Sequence, residues 1–146
     1  MWQSVINYVQ GLVAYRDMSP DMGIRRQVNR RLQERSRLSV EDWAELFIKA
    51  IDGSLYAPLL TFLYQQLQDY SGLDVGRIRP EDRLIEDLQI PLVCWFDWPH
   101  QLCDDFFQAF EVDISEEFDE SQLDTVKELV YFLNRRLSSM DSVSPG

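Results

Sequence analysis

Apolar residues recur along this chain at helical spacing, and each such run predicts an α-helix. Trp2, Val5, Ile6, Val9, Leu12 and Val13 predict one over residues 2–16. Ser19-Pro20 reads as an N-cap with Pro at the first helical position, opening a second helix over about 20–36. That helix has few apolar positions (Met22, Ile24, Val28, Leu32) and holds Gly23 inside it. Ser39-Val40-Glu41-Asp42 is close to a capping box, and Trp43, Leu46, Phe47, Ala50 and Ile51 form a regular stripe. Residues 40–52 are therefore a helix stopped by Asp52-Gly53. Pro58 suits the first turn of the next one, whose inner face runs from Leu59 through Phe62, Leu63 and Leu67 to Tyr70.

Residues 72–98 then read as a long loop with a turn from Pro80 to Leu88. Asp97 is placed to cap a helix whose second position is Pro99, ending near Phe110. Asp119 to Ser121 forms a short turn, and Val126, Leu129, Val130 and Leu133 give the last helix its inner face. The polar stretch Ser138–Gly146 is expected to fray, so 139–146 is read as a flexible tail. With six Gly, six Pro and no alternating runs, the chain is expected to be all-α.

Charge adds an asymmetry. Residues 1–40 carry seven Arg against Asp17, Asp21 and Glu34, whereas the whole chain has a net charge of −11. A basic segment thus precedes an acidic body. That balance argues against general nucleic-acid binding and against docking on anionic lipid. Arg25, Arg26, Arg30 and Arg31 form a basic docking face, expected to meet acidic surface of the same chain. The alternative is that they track a phosphate backbone, making the protein a nucleic-acid-linked regulator. Two cysteines make no disulfide framework. The first residues lack the basic and uninterrupted apolar parts of a signal peptide, and no run is long enough to span a membrane. A cytoplasmic protein is expected.

The order Pro80-Glu81-Asp82-Arg83-Leu84-Ile85-Glu86-Asp87-Leu88, then a helix closing on Phe110-Glu111-Val112-Asp113-Ile114, resembles the acyl carrier protein family. The similarity covers about Ala57 to Leu137 and includes the Leu123-Asp124-Thr125-Val126 entry to the last helix. Residues 1–53 have no counterpart and are read as an N-terminal helical extension; 54–138 are read as a degenerate acyl-carrier-like domain. In that family a Ser soon after Glu-Asp-Leu carries a phosphopantetheine arm. Here Leu88 is followed by Gln89-Ile90-Pro91-Leu92, and no Ser, Thr or Tyr occurs between Ser71 and Ser115. Counting forward from Leu88 puts the attachment position at Leu92, and counting back from Ile114 puts it at Phe96. Neither side chain has an oxygen nucleophile. The chain is similar to a bacterial group of small carrier-like proteins without the attachment Ser. The resemblance implies the helical bundle without its prosthetic group.

Other chemistry is thin. Cys94, Asp97, His100, Cys103 and Asp104 are metal-ligand types lying close together, but their spacing fits no zinc pattern. A Cys–His nucleophilic pair would need an orienting third group, and no nucleophile elbow or Gly-rich phosphate loop occurs. No catalytic residue, cofactor or metal is expected. Trp95, Phe96 and Trp98 fall within four residues, flanked by Pro91 and Pro99. At least one of them belongs inside the fold. Trp95, Asp97, Trp98, Asp104 and Asp105 are expected to form a partner-facing patch. The expected function is non-enzymatic protein binding, as an adaptor, inhibitor, immunity or regulatory module for a partner with a basic surface. An atypical carrier or accessory subunit of lipid or thioester metabolism is the alternative.

Overall fold

The computed structural model describes residues 19–143, with side chains over 19–138. The helix expected over 2–16 lies outside the described residues. Among those described there are six α-helices and no strand: α1 (Met22–Leu32), α2 (Val40–Ala50), α3 (Ala57–Ser71), α4 (Ile90–Val93), α5 (Trp98–Phe110) and α6 (Val126–Val143). Two 3-10 turns, Val75–Arg77 and Glu120–Gln122, punctuate the loops. The described residues are all-α.

The helix starts show the local chemistry. Ser39 caps α2 by accepting from the Asp42 N–H at 3.2 Å, as its capping pattern predicts. α1 begins two residues later than Ser19-Pro20 suggests, because Asp21 is the cap and accepts from the Ile24 N–H at 3.0 Å. Asp97 does occupy the N-cap position of α5, yet its side chain makes no capping bond. Its backbone, with ψ near 17°, is not extended as a capping residue's usually is. α6 continues past Ser138 to Val143, since no Pro or Gly interrupts it before Pro145.

A single apolar core runs through every helix. Val28 and Leu32 of α1, Trp43 and Phe47 of α2, and Leu59, Leu63 and Leu67 of α3 join Leu102 and Phe106 of α5 and Leu129, Val130 and Leu133 of α6. The loop contributes Leu73, Val75, Ile78, Leu84 and Leu88, so it is an inner layer rather than a surface connection. The core is continuous across the boundary at residues 53 and 54.

Polar ties fix the loop between the N-terminal helices and α6. The Asp82 carboxylate, only 5% exposed as a residue, accepts from both terminal nitrogens of the Arg35 guanidinium at 2.6 and 2.9 Å and from the Arg79 N–H at 2.7 Å. The Asp82 carbonyl in turn accepts from the Val126 N–H at 3.0 Å, and Leu84 donates to the Asp124 carbonyl at 2.8 Å. Trp43 donates its ring N–H to the Ile78 carbonyl at 3.1 Å. Next to it, Gly76 lies so close to the strap before α2 that a Cβ there would sit 2.6 Å from the Leu38 carbonyl oxygen.

Candidate functional site

The segment from Leu84 to Trp98 turns twice and sorts its side chains by those turns. Arg83 donates its N–H to the Asp87 carboxylate at 2.8 Å, closing a tight turn over 84–88. Gln89 has a left-handed backbone, φ 52°, which redirects the chain into α4. Within that one turn of helix Ile90 and Val93 face the core while Pro91 and Leu92 face outward. Cys94 is buried, Trp95 and Phe96 emerge, and Trp98 returns to the core as α5 begins. Pro91 stands in the first turn of α4, where its missing N–H costs nothing.

Between this segment and the turn at 120–122 lies a cleft of about 300 Å³. Its walls are Leu84, Ile85, Ile90, Pro91, Phe96 and Trp98, with Glu120 and Ser121 opposite. Phe96 is 61% exposed and Ile85 57%, and Leu92 and Trp95 are exposed on the same short segment. Four large apolar side chains thus reach solvent within twelve residues of chain, on a backbone held at both ends. At the α1 end, the Leu92 carbonyl accepts from the Asp21 N–H and the Val93 carbonyl from the Arg25 guanidinium, each at 2.8 Å. At the α6 end stands the Leu84–Asp124 bond already described.

The patch expected from sequence is divided. Trp98 is 6% exposed and stands edge-on to Phe118, centroids 6.1 Å apart, so it is a core residue and a cleft wall rather than a projecting anchor. Asp105 is tied inward, because the Tyr70 hydroxyl donates to its carboxylate at 2.5 Å. Burial first, and then this bond to Asp105, push the Tyr70 phenol far above its ordinary range. Trp95 and Asp104 are exposed, and Asp97 is half-buried. Ile85, Leu92 and Phe96 are the surface residues that the patch omitted. Alternation of exposure along 84–98 follows from the two turns, and periodicity does not encode them.

The basic face also divides. Arg25 is half-buried on backbone carbonyls, and Arg31, though exposed, also ends on one. Arg25 reaches Val93 and, at 3.4 Å, Tyr70; Arg31 reaches Asp87 at 3.4 Å. Arg26 and Arg30 remain exposed. The carboxylate pairs expected of α1 are made instead by Arg35 with Asp82 and by Arg37 with Asp74, beyond the helix end. A carbonyl at a helix C-terminus is a favourable acceptor for a cation, which explains why Val93, last in α4, takes Arg25.

Burial pushes the Cys94 thiol up to about 12, only partly offset by Arg25, so the nucleophilic thiolate is suppressed. Cys103 is raised as well, by burial and then by Asp104, Asp113 and Glu120. Among the described residues no three His, Cys, Asp or Glu side chains come together as a metal-ligand set. None of their helices is long and apolar enough to cross a membrane. Compared with models of known families, with curated proteins and with solved structures, the chain matches none.

Proposed function

We propose that the protein is a non-enzymatic binding module for another protein, built on an acyl-carrier-like helical arrangement that has no prosthetic group. The observation that carries this reading is the exposed apolar pair Ile85 and Phe96 on the α4 cleft, with Leu92 and Trp95 exposed on the same short segment. Large apolar side chains gathered on a rigid support, rather than scattered singly, are the mark of an interaction surface. The support is rigid because α4 is bonded to α1 and its approach turn to α6, so little ordering entropy is lost on binding.

Helix order from α3 through α6, with a long loop, a short turn at 120–122 and a final helix, supports the carrier-like part of the reading. The two registers of the missing Ser fall on Leu92 and Phe96, both exposed. The position where a carrier would hold its arm is thus occupied by surface hydrocarbon.

The test uses the full chain and two variants, Ile85→Ala and Phe96→Ala. Partners recovered from extract are purified and titrated against all three proteins. Binding lost in both variants, with melting temperatures unchanged, is the expected result. Equal affinity for all three proteins rejects the face. A mass gain of the phosphopantetheine arm after incubation with its transferase would replace this reading with the carrier one.

A further inference from the structure

The cleft's chemistry identifies the class of partner it suits, resting on the binding reading above. Its walls are six apolar residues, and its polar edge is Glu120 and Ser121. Ser121 is spent locally, because its hydroxyl and its N–H both donate to Asp119, at 2.6 and 3.0 Å. Glu120 is exposed, leaving one carboxylate to meet an occupant. A small-molecule site orients its ligand with several converging polar groups, and a volume of about 300 Å³ is at the bottom of the range for such sites. A side chain delivered by a polypeptide needs no such groups, since the rest of the partner orients it. Ile85 and Phe96 line the cleft and are also largely exposed, so apolar surface continues from it to solvent. That is the layout of an anchor pocket inside a larger contact.

Charge selects further. Residues 81–124 hold fourteen acidic side chains and one basic one, Arg83, which is engaged by Asp124 at 3.1 Å and Glu86 at 3.7 Å, while the neighbouring α1 cations Arg25 and Arg31 are held on the Val93 and Asp87 carbonyls. Asp97 follows Phe96 directly, Glu86 follows Ile85, and Glu120 lines the cleft. An acidic segment would be repelled here, whereas a basic one is steered in and held in register. The described residues form no sheet, so there is no strand edge for an extended peptide to join. Proline-rich segments dock in aromatic-lined grooves, whereas four of the six apolar walls here (Leu84, Ile85, Ile90 and Pro91) are aliphatic, which favours a helix laid into the groove with apolar anchors at i, i+3 or i+4.

We infer that the cleft receives an amphipathic, basic helical segment of another protein. One bulky apolar side chain sits between Ile85, Phe96 and Trp98, and Lys or Arg one turn away meets Glu120, with Glu86 and Asp97 flanking.

The probe is a synthetic amphipathic helix with Leu and Phe on one face and Lys on the other, labelled for fluorescence anisotropy against the full chain. Three controls accompany it: the Lys positions changed to Glu, the apolar face changed to Ala, and a proline-rich peptide of equal charge. The Lys peptide is expected to bind, and both helical controls to bind at least about tenfold more weakly. Phe96→Ala should weaken the Lys peptide by about tenfold, and Glu120→Gln by roughly threefold at low salt and less at high salt. Equal binding of the Lys and Glu peptides, indifference to Phe96→Ala, or tighter binding by the proline-rich peptide overturns the inference. So does dimerisation of the chain that Phe96→Ala abolishes, or tighter binding by a synthetic peptide of residues 2–16. Should the peptides fail while a recovered partner still depends on Ile85 and Phe96, the binding function stands and only the partner class is lost.

Discussion

Trp98 and Phe96 lie two residues apart and should respond to truncation in opposite ways. Trp98 is 6% exposed and packs edge-to-face on Phe118, which continues to Phe132 at 5.8 Å. Trp→Ala in a core costs about 3–5 kcal/mol. Trp98 also walls the α4 cleft, so water can enter part of the space it leaves, which places the cost near about 3 kcal/mol. For a chain of this length that corresponds to a melting temperature lower by roughly 10 °C. Phe96 is 61% exposed, so Phe96→Ala removes little buried area and should cost under about 1 kcal/mol. Urea and thermal unfolding of the full chain, followed by far-ultraviolet circular dichroism, measure both. A Trp98→Ala variant as stable as the parent would refute the core placement and return Trp98 to the surface. A Phe96→Ala loss as large as that of Trp98→Ala would mean that Phe96 is a packing residue and the exposed face is misassigned.

Asp82→Asn keeps the side chain's shape but removes the charge and one acceptor facing Arg35 and Arg79; with Arg35 partly solvated, the expected loss is about 2 kcal/mol by urea unfolding. No measurable loss would mean that this tie between the N-terminal helices and the loop is dispensable. Gly76→Ala should cost about 1–3 kcal/mol, because the new Cβ meets a backbone oxygen that cannot swing aside, and a neutral result would show the Leu38 strap to be loosely held. Burial lifts the Asp74 carboxyl, but hydrogen bonds from Arg37 at 3.0 Å and Arg77 at 2.8 Å outweigh it and hold its pKa below the ordinary range. A carboxyl lowered in the folded state stabilises above its unfolded pKa of about 4, and that stability is lost as pH falls through the folded value. Unfolding midpoints of Asp74→Asn should therefore fall less steeply than the parent's below about pH 4; parallel curves would contradict the assignment.

Much of the helical framework was legible because it is written in periodic apolar positions. Trp43 with Phe47, Leu59 with Leu63 and Leu67, and Leu129 with Leu133 are spaced as inner faces, and all are buried. The candidate site was far less legible. α4 is a single turn, too short for any periodicity, and Pro91 within it reads as loop punctuation until Gln89 is seen to turn left-handed. Nothing in Trp95-Phe96-Asp97-Trp98 says which aromatic turns inward, since that depends on where α5 starts. Arg25 and Arg31 were recognisable as a pair of cations, but their acceptors are backbone carbonyls of residues 93, 70 and 87, and every residue has a carbonyl. Asp82 looks like one more acid in a polar turn; its burial follows from Arg35, forty-seven positions earlier.

On the binding proposal, the Ile85–Phe96 face receives another protein. Replacing Ile85 with a photo-crosslinking amino acid, and separately the exposed Gln108 of α5 as a control, tests it most directly. Irradiation in cells, followed by mapping of the crosslinked peptides by mass spectrometry, reads out what touches each position. One discrete protein joined at position 85, through a segment rich in Lys or Arg and absent from the position-108 adducts, is the predicted result. Identical adducts from both positions, or crosslinks only within the chain, would contradict the claim.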